Sequence, residues 1–157
     1  MSLLISLLSL FAPPVASQGP ERQADNHCFA HEPVVFHCVA GEKWISLCGS
    51  PPAPNLNWAY YRFGAPGSVE LSFPADDASL DPFTYAQRYL IDGTEVESVS
   101  FQNGGYGYEI WSQAGPSGEG AGVTVTKGDE TLATVSCTGP VTNDLQQIQV
   151  GKDTPSP

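Results

Sequence analysis

Three histidines, His27, His31 and His37, crowd beside Cys28 and Cys38, and HCFAH followed by HC carries the side-chain types of a zinc site. The spacing argues against one. The C-x-x-H has no matching second pair, and His37 and Cys38, adjacent in a strand, point to opposite faces. No metal and no cofactor are expected. Ser117 in GPSGEG is the one candidate for a hydrolase nucleophile, but it sits in a glycine loop without the strand and helix that hold such a serine. Glu95 and Glu97, at i and i+2, share a strand face, and paired carboxylates are how glycosidases combine an acid with a base or nucleophile. Beside Asp92, in a chain this acidic, they read as solvated edge charges. Asp76, Asp77 and Asp81 lack the alternation and closing Glu of a calcium loop. A non-catalytic protein is therefore expected, acting by binding.

Binding needs a surface, and the aromatic residues offer one. Trp58, Tyr60, Tyr61, Tyr106, Tyr108 and Trp111 are many rings for a small domain; exposed ones serve as partner anchors or stack on sugar rings. The stretch Gln102-Asn103-Gly104-Gly105-Tyr106-Gly107-Tyr108 reads as a tip that lets another backbone approach closely. The partner-binding candidates are Gln102, Asn103, Gly104, Gly105, Tyr106, Tyr108 and Trp111.

The elements that must position them are strands. VVFHCV (Val34 to Val39) and WISLC (Trp44 to Cys48) flank Ala40-Gly41-Glu42-Lys43, a hairpin signal. WAYYRF and SVELSF, joined by Gly64-Ala65-Pro66-Gly67, form a second hairpin, with Val69, Leu71 and Phe73 alternating against Ser68, Glu70 and Ser72. Val96 to Phe101 alternates and turns at Gln102-Asn103-Gly104-Gly105 into Tyr106 to Ser112. GVTVTKGDETLATVSC turns at Gly128-Asp129. Phe83 to Ile91 is ambiguous, Leu145 to Val150 reads as a last strand or a short helix, and Gly49 to Asn57 and Pro74 to Pro82 are loops. About eight short strands predict an all-β domain, a small antiparallel barrel or sandwich.

Cys28, Cys38, Cys48 and Cys137 read as two disulfides in an oxidising compartment. A four-residue loop in the first hairpin puts Cys38 opposite Ile45 and Cys48 opposite Val35, so the two cysteines face opposite sides of the sheet. That disfavours a Cys38 to Cys48 bond and favours Cys38 with Cys137 and Cys28 with Cys48; a loop one residue shorter or longer reverses the parity.

Composition sets the class. The 157 residues make one domain, and 16 Gly with 14 Pro exclude a helical bundle. A net charge of -11 argues against nucleic acid as a partner. Leu3 to Ala12 is an apolar run ended by Pro13-Pro14, followed by small residues at Val15 and Ser17. The organisation expected is a signal peptide over 1–17, a flexible segment over 18–27, a β domain over 28–150 and a disordered tail over 151–157. A periplasmic or secreted protein without a membrane span follows.

GEKWISLC, YYRFGAPGSVELSFP, VSFQNGGYGYEIW and the closing Val-Ser-Cys together resemble a group of small, uncharacterised exported proteins of proteobacteria, over Phe36 to Cys137. More distantly, the same order resembles the membrane-bound and periplasmic inhibitors of c-type lysozyme. That resemblance implies an eight-stranded barrel closed by a disulfide between an early and a late Cys, with a loop inserted in the lysozyme cleft. Onto that loop Gly105 and Tyr108 fall directly. Gln102 and Gly104 stand at its two serine positions, and Gln113 stands where a functional Lys is expected. The leading expectation is inhibition of a cationic cell-wall hydrolase such as a lysozyme through the Gln102 to Tyr108 loop, an encounter that an acidic chain would speed; the alternative is a structural or carbohydrate-binding protein of the cell envelope that holds a glycan with exposed Trp58, Tyr60 or Trp111.

Overall fold

The computed structural model describes residues 19–154, so the expected signal peptide and residues 155–157 of the expected tail lie outside them. Among the described residues no helix is long and apolar enough to cross a membrane. β1 (Val34–Ala40) and β2 (Lys43–Gly49) form the first hairpin, with Gly41 at φ 61° in its turn. Cys38 lies opposite Ile45, Val39 opposite Trp44 and Ala40 opposite Lys43, the register that a four-residue loop requires. Farther along the register slips, and Cys48 lies opposite Val34 rather than Val35. The cause is a bulge between Val34 and Phe36, which lets the successive side chains Val35 and Phe36 both join the core.

β3 (Ala59–Ala65) and β4 (Ser68–Phe73) extend this sheet, and β10 (Val141–Asn143) closes its other side, giving the order β10-β1-β2-β3-β4. The second sheet is a meander of β5 (Thr84–Tyr89), β6 (Glu95–Asn103), β7 (Tyr106–Ala114), β8 (Gly120–Lys127) and β9 (Glu130–Ser136). The ambiguous stretch after Phe83 is thus an edge strand. The segment open to either reading at Leu145 to Val150 ends in a helix, α1 (Gln147–Asp153). It continues into the residues expected to be a tail, and a Cβ on its Gly151 would stand 2.5 Å from the Leu56 carbonyl oxygen.

Among the described residues all the pairings are antiparallel, and the architecture is a sandwich of two five-stranded sheets, ten strands in place of about eight. The barrel alternative is corrected: among the described residues no ladder joins the two sheets, so they do not close into one. β6 runs across the first sheet rather than along it. Its Glu97 accepts a hydrogen bond from Asn143 of β10 at one side, while Phe101 stacks on Phe73 of β4 at the other, 4.4 Å between ring centroids. Phe101 is the centre of the core, packed between Phe73, Phe83, Tyr61 and Tyr108. Cys38 is joined to Cys137 and Cys28 to Cys48, the pairs that the parity argument favours. The first bond staples the end of β9 to the sheet beneath it.

Ahead of β1, the chain lies against the outer face of the first sheet. The Arg62 guanidinium of β3 makes a buried, two-pronged pair with Glu32, at 2.5 and 3.0 Å, and packs 4.8 Å from the Phe29 ring and 4.9 Å from the Tyr60 ring. His27 is fully buried there, its Nε2–H donating to the Gly64 carbonyl at 2.9 Å and its Nδ1 without a partner.

Candidate functional site

The seven partner-binding candidates all fall on the β6–β7 hairpin, but they do not form one surface. Its turn is a tight two-residue one, with Gly104 and Gly105 at φ 59° and 86°, a geometry that glycine adopts without strain. Gln102, Gly104, Gly105 and Tyr106 are exposed at this tip and Asn103 is half-buried. The Tyr106 ring carries the Lys127 ammonium 5.5 Å from its centroid. Tyr108 turns the other way. It lies opposite Phe101 and stacks parallel to that ring at 4.9 Å, so its side chain belongs to the packing between the sheets.

Trp111 faces outward, on the solvent side of the second sheet. An ideal Cβ at Gly120 would stand 3.5 Å from its ring and one at Gly122 3.1 Å, so the ring rests on a strip of β8 that has no side chains of its own. A hollow of about 210 Å³ beside it is bordered by Arg88, Val96, Glu109, Gln113 and Thr124. Arg88 and Glu109 pair across it at 3.9 Å. A half-buried indole on a flat sheet, ringed by a guanidinium, a carboxylate, an amide and a hydroxyl, provides an apolar face with hydrogen-bonding groups at its rim. Trp58 and Tyr60 are half-buried on the outer face of the first sheet, edge to face at 5.6 Å, and Tyr61 is in the core.

At the other end of the hairpin the sheets part. A cleft of about 660 Å³ opens between the ends of β7 and β8 and the segment from Cys137 to Asn143, and a smaller recess beside it reaches Glu95 and Glu97. Glu97 departs from the solvated edge charge expected of it. It is half-buried and accepts hydrogen bonds from the Tyr85 hydroxyl at 2.8 Å and from Asn143 Nδ2 at 2.9 Å. Burial, reinforced by that carboxylate, pushes the Tyr85 hydroxyl up to about 12.

The remaining chemical candidates are engaged elsewhere. Ser117 donates to Asp92, and the bonds from Ser117 and Thr94 hold the Asp92 carboxyl below its usual range. All three histidines lie with the first sheet and its N-terminal covering, away from Ser117. The one cluster of metal-ligating types among the described residues is Cys28, Glu32 and Cys48, but the cysteines are bonded to each other and Glu32 to Arg62.

Sequence reasoning singled out Trp111 but missed what surrounds it. Two glycines at i and i+2 where β8 begins were the available signal, since a strand disfavours glycine unless something approaches closely. The engagement of Glu97 left no such trace, because Tyr85 and Asn143 lie 12 and 46 residues away. No protein-family model, no curated protein and no solved structure matches the chain. The resemblance to lysozyme inhibitors rests on the residues quoted for it.

Proposed function

We propose that this chain is an exported, non-catalytic binding protein that holds a cell-envelope saccharide against Trp111. The observation that carries the reading is the seating of that indole on Gly120 and Gly122, with Arg88, Glu109, Gln113 and Thr124 around the adjoining hollow. The C–H face of a pyranose stacks on such a ring while its hydroxyls bond the rim. Two disulfides support an oxidising compartment, hence a periplasmic or secreted location. The engagement of Glu97 and Ser117 in bonds within the fold supports a role without turnover. The charge of -11 favours neutral or cationic sugars over uronates.

A second reading is that the exposed Gly104-Gly105 tip docks on a basic protein such as a lysozyme. It is favoured by the open space around both glycines, where a Cβ would meet nothing within 4 Å. Tyr106, not Tyr108, is then the aromatic contact.

Calorimetric titration of the oxidised protein with β-1,4-linked oligomers of glucose, N-acetylglucosamine and glucosamine separates the two. Saccharide binding that Trp111→Ala abolishes, and that salt alters little for the neutral oligomers, supports the first. Absence of any saccharide binding, with lysozyme inhibition that Tyr106→Ala removes and salt weakens, overturns it in favour of the second.

A further inference from the structure

We infer that the saccharide is an oligomer, which leaves Trp111, passes Gln113 and enters the cleft between the two sheets. The inference rests on the saccharide reading of Trp111 and adds the length and path of the chain. Its basis is the continuity of three concavities. Gln113 borders the hollow beside Trp111, the recess at Glu97 and the 660 Å³ cleft, so it stands at their junction. Gly120 lies beneath the indole and also lines the cleft, so one strip of β8 leads from the one into the other.

The distances suit a chain of sugar rings. Trp111 and Gln113 are two residues apart on one strand, roughly 7 Å, which is on the scale of a single ring. The cleft itself, at about 660 Å³, falls within the size of pockets that hold whole ligands. Its chemistry is that of a polyol site. Ser112 offers a hydroxyl, Gln113 and Asn143 amides, and Glu119 a carboxylate, while the Thr138 hydroxyl is taken up by Val39 and Gly41; no cationic side chain is among the described residues that line it. Glu97, held by Tyr85 and Asn143, supplies fixed acceptor oxygens in the adjoining recess. Sugar hydroxyls are donors and match such a lining, whereas sulfated or carboxylated chains find nothing there to pair with.

The test is the dependence of affinity on chain length, with glucose and N-acetylglucosamine oligomers of one to six units as probes. Affinity is expected to rise by about tenfold or more between the dimer and the tetramer and then to level off. Ala114→Trp and Val141→Trp fill the opening from its two walls, each at an exposed position. Either should bring the tetramer down to the affinity of the dimer while leaving the dimer unchanged. Trp111→Ala should remove both. Trp111-dependent binding that is equally strong for dimer and hexamer, or a tetramer indifferent to both tryptophan substitutions, overturns the extended path and leaves the platform standing. Failure of every oligomer to bind overturns the platform as well.

Discussion

Acid should loosen this fold through His27. The ring is fully buried, its Nε2 is committed to the Gly64 carbonyl, and its Nδ1 has no acceptor to receive a proton. Arg22 and Arg62 both donate to the His27 carbonyl oxygen and raise the local positive potential, with Glu70 opposing them. Burial first, and then those cations, hold the imidazole below its ordinary value. The unfolded chain takes up the proton near pH 6.5 and the folded one does not, so the unfolded state binds more protons and stability falls as the pH falls. The contribution is complete above about pH 6.5 and is lost as the pH drops from there through the lowered folded value. A single group that is protonated only in the unfolded state lowers stability by at most about 1.4 kcal/mol per pH unit. His37, whose Nδ1 lies 3.0 Å from Ser46 Oγ, is also held low by burial and adds to the slope. Urea unfolding of the oxidised protein at half-unit steps from pH 7.5 to 4.5 measures it. His27→Gln keeps a donor for Gly64 and cannot titrate, so its stability profile should be flatter, by at most one proton's slope. Equal slopes for the parent and His27→Gln would refute the reasoning.

Two further perturbations test the covering of the first sheet and the staples. Glu32→Gln leaves the Arg62 guanidinium buried without its counter-charge and should cost about 3–5 kcal/mol, read as a shift in the urea midpoint; replacing both partners by Met should recover most of it. Opening Cys38–Cys137, which closes 99 residues, should destabilise by about 4.7 kcal/mol, against about 3 kcal/mol for Cys28–Cys48, which closes 20. Serine pairs compared by denaturant unfolding give the order, and a larger loss from the shorter loop would contradict a chain-entropy origin.

The parity of the first hairpin was legible because a four-residue loop fixes which residues face each other, and Cys38 opposite Ile45 follows from counting alone. The bulge was not, because Val34, Val35 and Phe36 are all apolar and such a run suits either face of a strand. Closure failed for a different reason. Whether ten strands close into a barrel or split into two sheets depends on pairings between distant edges, which alternation within each strand leaves undetermined. At the site, the turn at Gly104-Gly105 was readable from glycine alone. The inward turn of Tyr108 was not, since Tyr106, Tyr108 and Trp111 look alike until the register shows that Phe101 faces Tyr108. Arg62 and Glu32, 30 residues apart, carry no pattern that marks them as a pair.

The two glycines of β8 tie the proposed function to a cost in the fold. Glycine in a strand interior gives up roughly 0.5–1 kcal/mol relative to alanine, and β8 carries Gly120 at its very start and Gly122 two residues on, both on the outward face. At Gly122 the sheet itself demands it: a Cβ would stand 2.3 Å from the Val135 carbonyl oxygen, so alanine would push β9 from its partner. Gly120 has no such excuse, since its Cβ would meet only the Trp111 ring, at an ordinary 3.5 Å. If packing alone governed that position, Gly120→Ala would be stabilising. On the saccharide reading the same substitution narrows the strip between the indole and the cleft mouth. Gly120→Ala should therefore raise the unfolding midpoint slightly while weakening the longer oligomers more than the dimer, and a variant more stable with unchanged tetramer affinity would assign this glycine to neither task.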